Sequence, residues 1–283
     1  MRQRRGPLAR LLRVLGLLAL TLVAIGISAI VFFPFERMAP ALAGWIVSET
    51  HIATRIGALD AGFGARGPVL EARDIQLIWP TGEQLALSSL RVSPALSLAW
   101  LRGVPTLRVA ANAEFGAFDG AVSSERIEGD FTRFDFAALP TAWFGERGSP
   151  LAGPVDAKVV FTRLAEQWSG SAQIVGADGS LALPSSPVAI PYEALKAELR
   201  LDEVGTLHVE SVALSGPMVE AQAQGEVAAG YAGPATGAIA IEAELARMDP
   251  ALLPALAEYG VVLDARGAGR LTISGTPEQI EIR

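Results

Sequence analysis

The 283-residue sequence contains no cysteine and only two histidines, His51 and His208. Without cysteine there are no disulfides and no thiolate chemistry, so the chain must hold itself together by burial, and its redox compartment cannot be read. With two isolated histidines there is no ligand-spaced pair for a metal and no histidine-centred acid-base site. His208 falls in Leu207-His208-Val209-Glu210, on the polar side of a strand pattern, and reads as a solvated residue. A Gly-Lys phosphate loop and a G-x-S-x-G elbow are also missing. Gly62-Phe63-Gly64-Ala65-Arg66-Gly67 has dinucleotide-loop spacing. Strand-like Pro68-Val69-Leu70-Glu71-Ala72-Arg73 follows where a helix is required, so the stretch reads as a glycine-rich hairpin turn. Glu125, Glu128 and Asp130 follow the wet face of a strand, as do Glu242 and Glu244. No paired carboxylates for acid-base work stand apart from that pattern. The expectation is a non-enzyme with no cofactor and no metal.

Basic charge is scarce outside the first 13 residues. Setting aside Arg2, Arg4, Arg5, Arg10 and Arg13 leaves 18 of the 23 basic residues against all 30 acids, a net charge of −12 for residues 34–283. Nucleic acid is thereby excluded as an expected partner, since affinity for it comes from neutralising phosphates with Lys and Arg.

Hydrophobic residues make up 51% of the chain, and its mean hydropathy is +0.36. Val14 to Phe33 is an uncharged run, long enough to cross a hydrocarbon core of about 30 Å as a helix. The five arginines precede it and the first acid is Glu36, an asymmetry that places the N-terminus in the cytoplasm and everything after Phe33 outside. Phe32, Phe33, Phe35 and Trp45 stand where an aromatic belt at the outer interface would sit. A cleaved signal peptide is the rival reading, with Ala41-Leu42-Ala43 before Gly44 as the cleavage site. The run is longer than a signal peptide's apolar region, and this site lies well beyond its end. The expected division is a cytoplasmic basic tail at 1–13, a transmembrane helix at 14–33, a juxtamembrane helix at 34–51 and a β-rich domain at 52–283. Met38, Leu42, Trp45 and Ile46 give the juxtamembrane segment helical spacing, either as a surface helix or as a continuation of the span.

Beyond residue 52 the period becomes two. Val219, Ala221, Ala223, Gly225 and Val227 alternate with Glu220, Gln222, Gln224 and Glu226. Leu195, Ala197, Leu199 and Leu201 alternate with Lys196, Glu198 and Arg200. Ile239-Ile241-Ala243-Leu245, Ala157-Val159-Phe161 and Leu271-Ile273 repeat the pattern, which is that of antiparallel strands wet on one side. Asp178-Gly179, Val204-Gly205, Ser215-Gly216-Pro217 and Gly233-Pro234 read as the turns between strands. The expected fold is mainly β: an elongated, curved antiparallel meander with short capping helices. Its apolar groove or core face would include Val159, Leu199, Val219, Ala221, Ala223, Ile241, Ala243 and Ile273.

The chain also shows self-similarity at an offset of 114 residues. Residues 127–140, Ile-Glu-Gly-Asp-Phe-Thr-Arg-Phe-Asp-Phe-Ala-Ala-Leu-Pro, align without gaps on 241–254, and half the positions are identical. The register continues through Gly153 on Gly267 and Val159 on Ile273. Each copy, about 127–161 and 241–275, reads as strand, short helix capped by Asp135 or Asp249 and carrying Leu139 or Leu253, then strand.

A family resemblance runs through nearly the whole chain in short apolar motifs. They begin with Pro34-Phe35-Glu36, Ile52-Ala53-Thr54-Arg55-Ile56-Gly57-Ala58-Leu59 and Leu70-Glu71-Ala72-Arg73-Asp74-Ile75-Gln76-Leu77. They continue with Leu90-Arg91-Val92-Ser93-Pro94, Leu98-Ala99-Trp100-Leu101-Arg102-Gly103, Leu207-His208-Val209-Glu210 with Leu214-Ser215-Gly216, and Leu271-Thr272-Ile273-Ser274-Gly275-Thr276. In order and length these resemble type II secretion system protein N (GspN), a relative of the AsmA-like envelope proteins. The resemblance implies a single-pass bacterial inner-membrane protein with a periplasmic domain. It would serve as an accessory or scaffold component of type II secretion, with other inner-membrane or periplasmic components of that machine as partners. Through the AsmA-like relatives it implies an alternative, a lipid-binding or lipid-transfer protein that holds phospholipid acyl chains on an apolar concave face.

Overall fold

The computed structural model describes residues 35–64, 67–95, 103–141, 149–164, 167–182, 189–228, 237–252, 263–264, 267–276 and 279–282. The basic tail 1–13, the apolar run 14–33, the Leu98–Arg102 motif, the Gly233-Pro234 turn and Leu253 lie outside these residues. Among the described residues no helix is long and apolar enough to cross a membrane.

The described residues open with a 3-10 turn, Phe35–Met38, that leads into α1, Ala39–Thr50. Pro40 suits the first turn of α1, where no N–H donor is needed. His51 closes the helix in the left-handed region at φ 60°, its N–H donating to Val47 O at 2.9 Å.

Fifteen strands then form one antiparallel sheet. They are β1 (Ala53–Gly64), β2 (Gly67–Ile78), β3 (Gln84–Pro94), β4 (Leu107–Ala113), β5 (Gly116–Val122), β6 (Arg126–Asp135), β7 (Leu151–Ala152) and β8 (Pro154–Leu164). Then come β9 (Gln167–Ala182), β10 (Ala189–Leu201), β11 (Leu207–Ser215), β12 (Val219–Val227), β13 (Ile239–Met248), β14 (Gly269–Thr276) and β15 (Gln279–Ile282). Each strand pairs with the next in sequence, except that β7 adds to β9 beside the main path, so the sheet is a pure meander. The glycine-rich stretch at 62–67 is a hairpin, as its strand-like flank requires: Gly64 pairs with Gly67.

Three features differ from the sequence reading. Asp178-Gly179 is not a turn, because β9 runs through it for 16 residues with Asp178 at φ 54°. Asp-Gly tolerates positive φ in a turn and inside a strand alike, and pairing with β10 decides between them here. The described parts of the capping segments are 3-10 turns, Phe136–Ala138 and Pro250–Leu252, and not α-helix; Leu252 of the second is buried. The third difference concerns the 114-residue repeat. Asp135 Oδ1 accepts from Ala137 N–H at 3.0 Å, and Asp249 Oδ1 accepts from Ala251 N–H at 2.8 Å. The pairing of the flanking strands is not equivalent, however: Gly129 faces Val159, whereas its counterpart Ala243 faces Leu271, two residues short of Ile273. The repeat as a superposable unit is not confirmed.

Among the described residues, three hydrophobic clusters stand out. Ala39 of α1 packs on Leu59, Ala72 and Ile75. Leu139 joins Trp79 and Leu85 beside Phe134 and Phe136. Leu252 covers the largest cluster, which holds Ile190, Tyr192, Leu195, Leu214, Val219, Leu245, Met248 and Leu271. Each cluster is thus closed by a short helical segment. These segments do not cover the whole sheet.

Candidate functional site: an apolar strip across the sheet

Directly paired residues in an antiparallel sheet point to the same side, so the register states which residues share a face. One row can be followed through thirteen strands. Ala61 pairs with Leu70, which pairs with Val92, then Val109, Gly120, Gly129 and Val159. From Val159 the row passes to Ala172, Leu199, Val209, Gly225, Ile241 and Ile273. Every member is apolar. At about 4.8 Å between strands, the row is about 60 Å long.

A second row lies beside it, two residues along each strand except β11, where a bulge makes the offset three. Leu59, Ala72, Leu90, Ala111, Phe118 and Phe131 lead to Ala157, and Ile174, Ala197, Val212, Ala223, Ala243 and Leu271 follow. All eight residues of the expected apolar face occupy this side. Val159, Leu199, Ile241 and Ile273 stand in the first row, and Ala223 and Ala243 in the second. Ala221 stands one row further, facing Leu214 and Leu245. Val219 lies beyond it, fully buried in the largest cluster, and so belongs to the core and not to any groove.

Burial is graded across these rows. Around Leu214 and Leu245 the side chains are buried in the cluster that includes Leu252. In the first row most side chains are only half-buried, and Val209 and Gly129 are its buried members. The strip is also thin. An added Cβ on Gly129 would lie 2.5 Å from Phe118 Cε2, one on Gly120 2.6 Å from Phe118 Cζ, and one on Gly170 2.6 Å from Phe161 Cδ1. The rings of Phe118 and Phe161 therefore lie down over a glycine floor. Phe118 stacks at 4.8 Å on Phe131, whose ring contacts Phe134 at 5.3 Å.

The other face is polar. Glu71 takes Arg73 Nε and Arg91 Nη2 at 2.9 Å each, and these charged hydrogen bonds hold its carboxyl below the usual range. Arg200 pairs with Glu210 at 2.7 Å. Two hollows lie on this face: one of about 700 Å³ is lined by Arg108, Asp119, Glu128, Asp130 and Lys158, and one of about 480 Å³ by Lys196, Glu220, Gln222 and Glu244.

His208 is not simply solvated. Its Nε2 lies 3.0 Å from Asp202 Oδ2 and its Nδ1 3.9 Å from Glu226 Oε2, beside the β10–β11 turn. The hydrogen bond with His208, followed by those from Thr206 and Val204 N–H, lowers the Asp202 pKa. Strand alternation gave no signal for this pairing, because it depends on which residue the turn brings opposite. Burial raises the Tyr192 hydroxyl, with Asp135 adding to the effect. Among the described residues no group of three or more His, Asp or Glu is placed to hold a metal ion. Comparison with protein families, characterised proteins and solved structures finds no match.

Proposed function

We propose that the chain is a membrane-tethered, AsmA-like envelope protein that carries phospholipid acyl chains along the apolar face of its sheet. The observation that carries this reading is the unbroken, half-buried apolar row from Ala61 to Ile273. A large apolar surface left without a covering layer is costly in water, and such patches mark contact with lipid, ligand or protein. A strip of aliphatic side chains and flat rings without polar groups offers contact to a hydrocarbon chain but no hydrogen bonds to orient a polar ligand. The polar concavities on the opposite face do not suit acyl chains.

A second reading, accessory component of the type II secretion machine, draws on the family resemblance and on the mixed-charge hollow around Arg108, Asp119 and Lys158, which suits a protein partner. The two readings use opposite faces. Native mass spectrometry of the full chain in mild detergent tests the first. Bound phospholipid is expected in the wild type and in Glu242→Gln, and its loss in Ala243→Trp, which still unfolds cooperatively. A lipid-free wild type overturns the carrier reading.

A further inference from the structure

We infer that the outward face of α1 lies in the surface of a lipid bilayer, so that the helix is held by the sheet on one side and by the membrane on the other. The inference rests on the membrane-tethered reading for the source of the bilayer. On its inner side, Ala39 packs against Leu59, Ala72 and Ile75, with Phe35 and Leu42 beside it, and Ala43 is buried as well. The sequence stripe Met38, Leu42, Trp45, Ile46 is therefore split, because the small residues let the helix approach the sheet and turn the large ones away. Met38 is 44% exposed and Trp45 61% exposed. Met38 caps the N-terminus of α1 with helical backbone angles (φ −86°, ψ −17°), so Trp45, seven residues on, lies about two turns further along the same side, with exposed Ala41 between them.

Two further facts select a bilayer as the occupant. First, α1 carries no charge before Glu49, whereas a helix facing water ordinarily has charged residues opposite its packed side. A tryptophan whose ring is left open gains most at the headgroup boundary, where its apolar body and polar N–H both find partners. Second, the uncharged run Val14–Phe33 ends two residues before Phe35, where the described chain begins. Only Glu36 and Arg37 intervene as charges before α1, at the depth of the headgroups. At about 18 Å, α1 is too short to cross the hydrocarbon core but can lie along its surface. The first strands of the sheet are then held about one helix diameter, some 10 Å, from the lipid.

Because the chain has no native cysteine, single-cysteine spin labels report their own positions without background. The full chain carrying Trp45→Cys, Val204→Cys or Val159→Cys, labelled and reconstituted in phosphatidylcholine vesicles, is read by relaxation with oxygen and with a water-soluble nickel complex. At position 45 oxygen is expected to dominate, as it does in the bilayer. At position 204, a turn residue 69% exposed, the nickel complex should dominate. A label at 45 that behaves like the label at 204 overturns the inference. The label at 159 reports separately on acyl contact along the strip, so the membrane-facing helix and the carrier reading fail independently.

Discussion

Aspartate substitutions at Ile241 and Leu245 test whether the apolar face is open. The two residues lie on β13, four positions apart and on the same side, so backbone, strand and chemistry are matched. Leu245 is 5% exposed, within the cluster closed by Leu252. Ile241 is half-buried in the strip, between Gly225 and Ile273. Replacing Leu245 by Asp forfeits about 1.5–3 kcal/mol of transfer energy and leaves a carboxylate without a partner in an apolar cluster, at a further cost of several kcal/mol. A total of about 5 kcal/mol or more rivals the entire stability of an ordinary domain. At Ile241 the lost burial is about 1 kcal/mol and the carboxylate can reach water, so the total stays near 1–2 kcal/mol. Urea unfolding of the full chain in mild detergent, followed by far-UV circular dichroism, measures the difference. If Leu245→Asp does not accumulate, Leu245→Ala, at about 2–5 kcal/mol, against Ile241→Ala, at about 1 kcal/mol, repeats the comparison. Equal losses at the two positions would mean that a layer covers the strip, and the carrier reading would fall with its openness.

Gly129→Ala should lower the melting temperature through a clash worth about 1–3 kcal/mol, and Phe118→Leu should recover part of it, because the nearest obstacle is the Phe118 ring; a double variant no better than the single one would place the ring elsewhere. Asp135→Ala should cost more than Asp249→Ala in urea unfolding, by about 0.5–1.5 kcal/mol, because Asp135 Oδ1 also accepts from Gly153 N–H at 3.2 Å; equal costs would count against that second bond. Asp202 has a lowered pKa in the folded chain, so its stabilisation of the β10–β11 turn is present above the ordinary aspartate value of about 4 and is lost as pH falls through the lower folded value. Amide signals of Val204 and Thr206 should therefore shift as pH falls below about 4 in wild type, with that shift absent in Asp202→Asn; the same low-pH shift in Asp202→Asn would refute the assignment.

Much of this architecture is legible in the sequence, for a physical reason. Side chains alternate along a strand, and antiparallel pairing carries that alternation from one strand to the next, so Val159, Leu199, Ile241 and Ile273 could be placed on one face before any pairing was known. The N-terminal half of the strip was harder to see. Its floor at Gly120 and Gly129 has no side chain to enter a hydrophobic pattern, and the apolar material there is supplied by Phe118 from the neighbouring row. The covered border was hidden by changes of phase. Two successive exposed residues, Arg73 and Asp74, precede buried Ile75, and Glu193 and Ala194 precede buried Leu195. These shifts accompany positive φ at Asp74 and Asp178, while a register slip in β6 accompanies Arg133, and none of the three is a glycine. A period-two reading breaks at each one, although the apolar face itself does not.

Those phase changes also explain how a single layer can hold a core while the row from Ala61 to Ile273 is mostly half-buried. Beyond them the strands present Tyr192, Trp79 and Val219 to the short helical segments, so full burial is concentrated along one border of the sheet. Tyr192, 2% exposed and lying over Gly176 and Gly179, anchors the largest of these clusters. The border supplies the packing that a second sheet would supply in a sandwich. The half-buried row from Ala61 to Ile273 is then not needed to close a core, and under the proposed carrier reading its uniform apolar character across thirteen strands is the surface that an acyl chain would contact. A row selected only to face water would be expected to admit polar residues, as the opposite face does at every strand from Glu71 to Arg270.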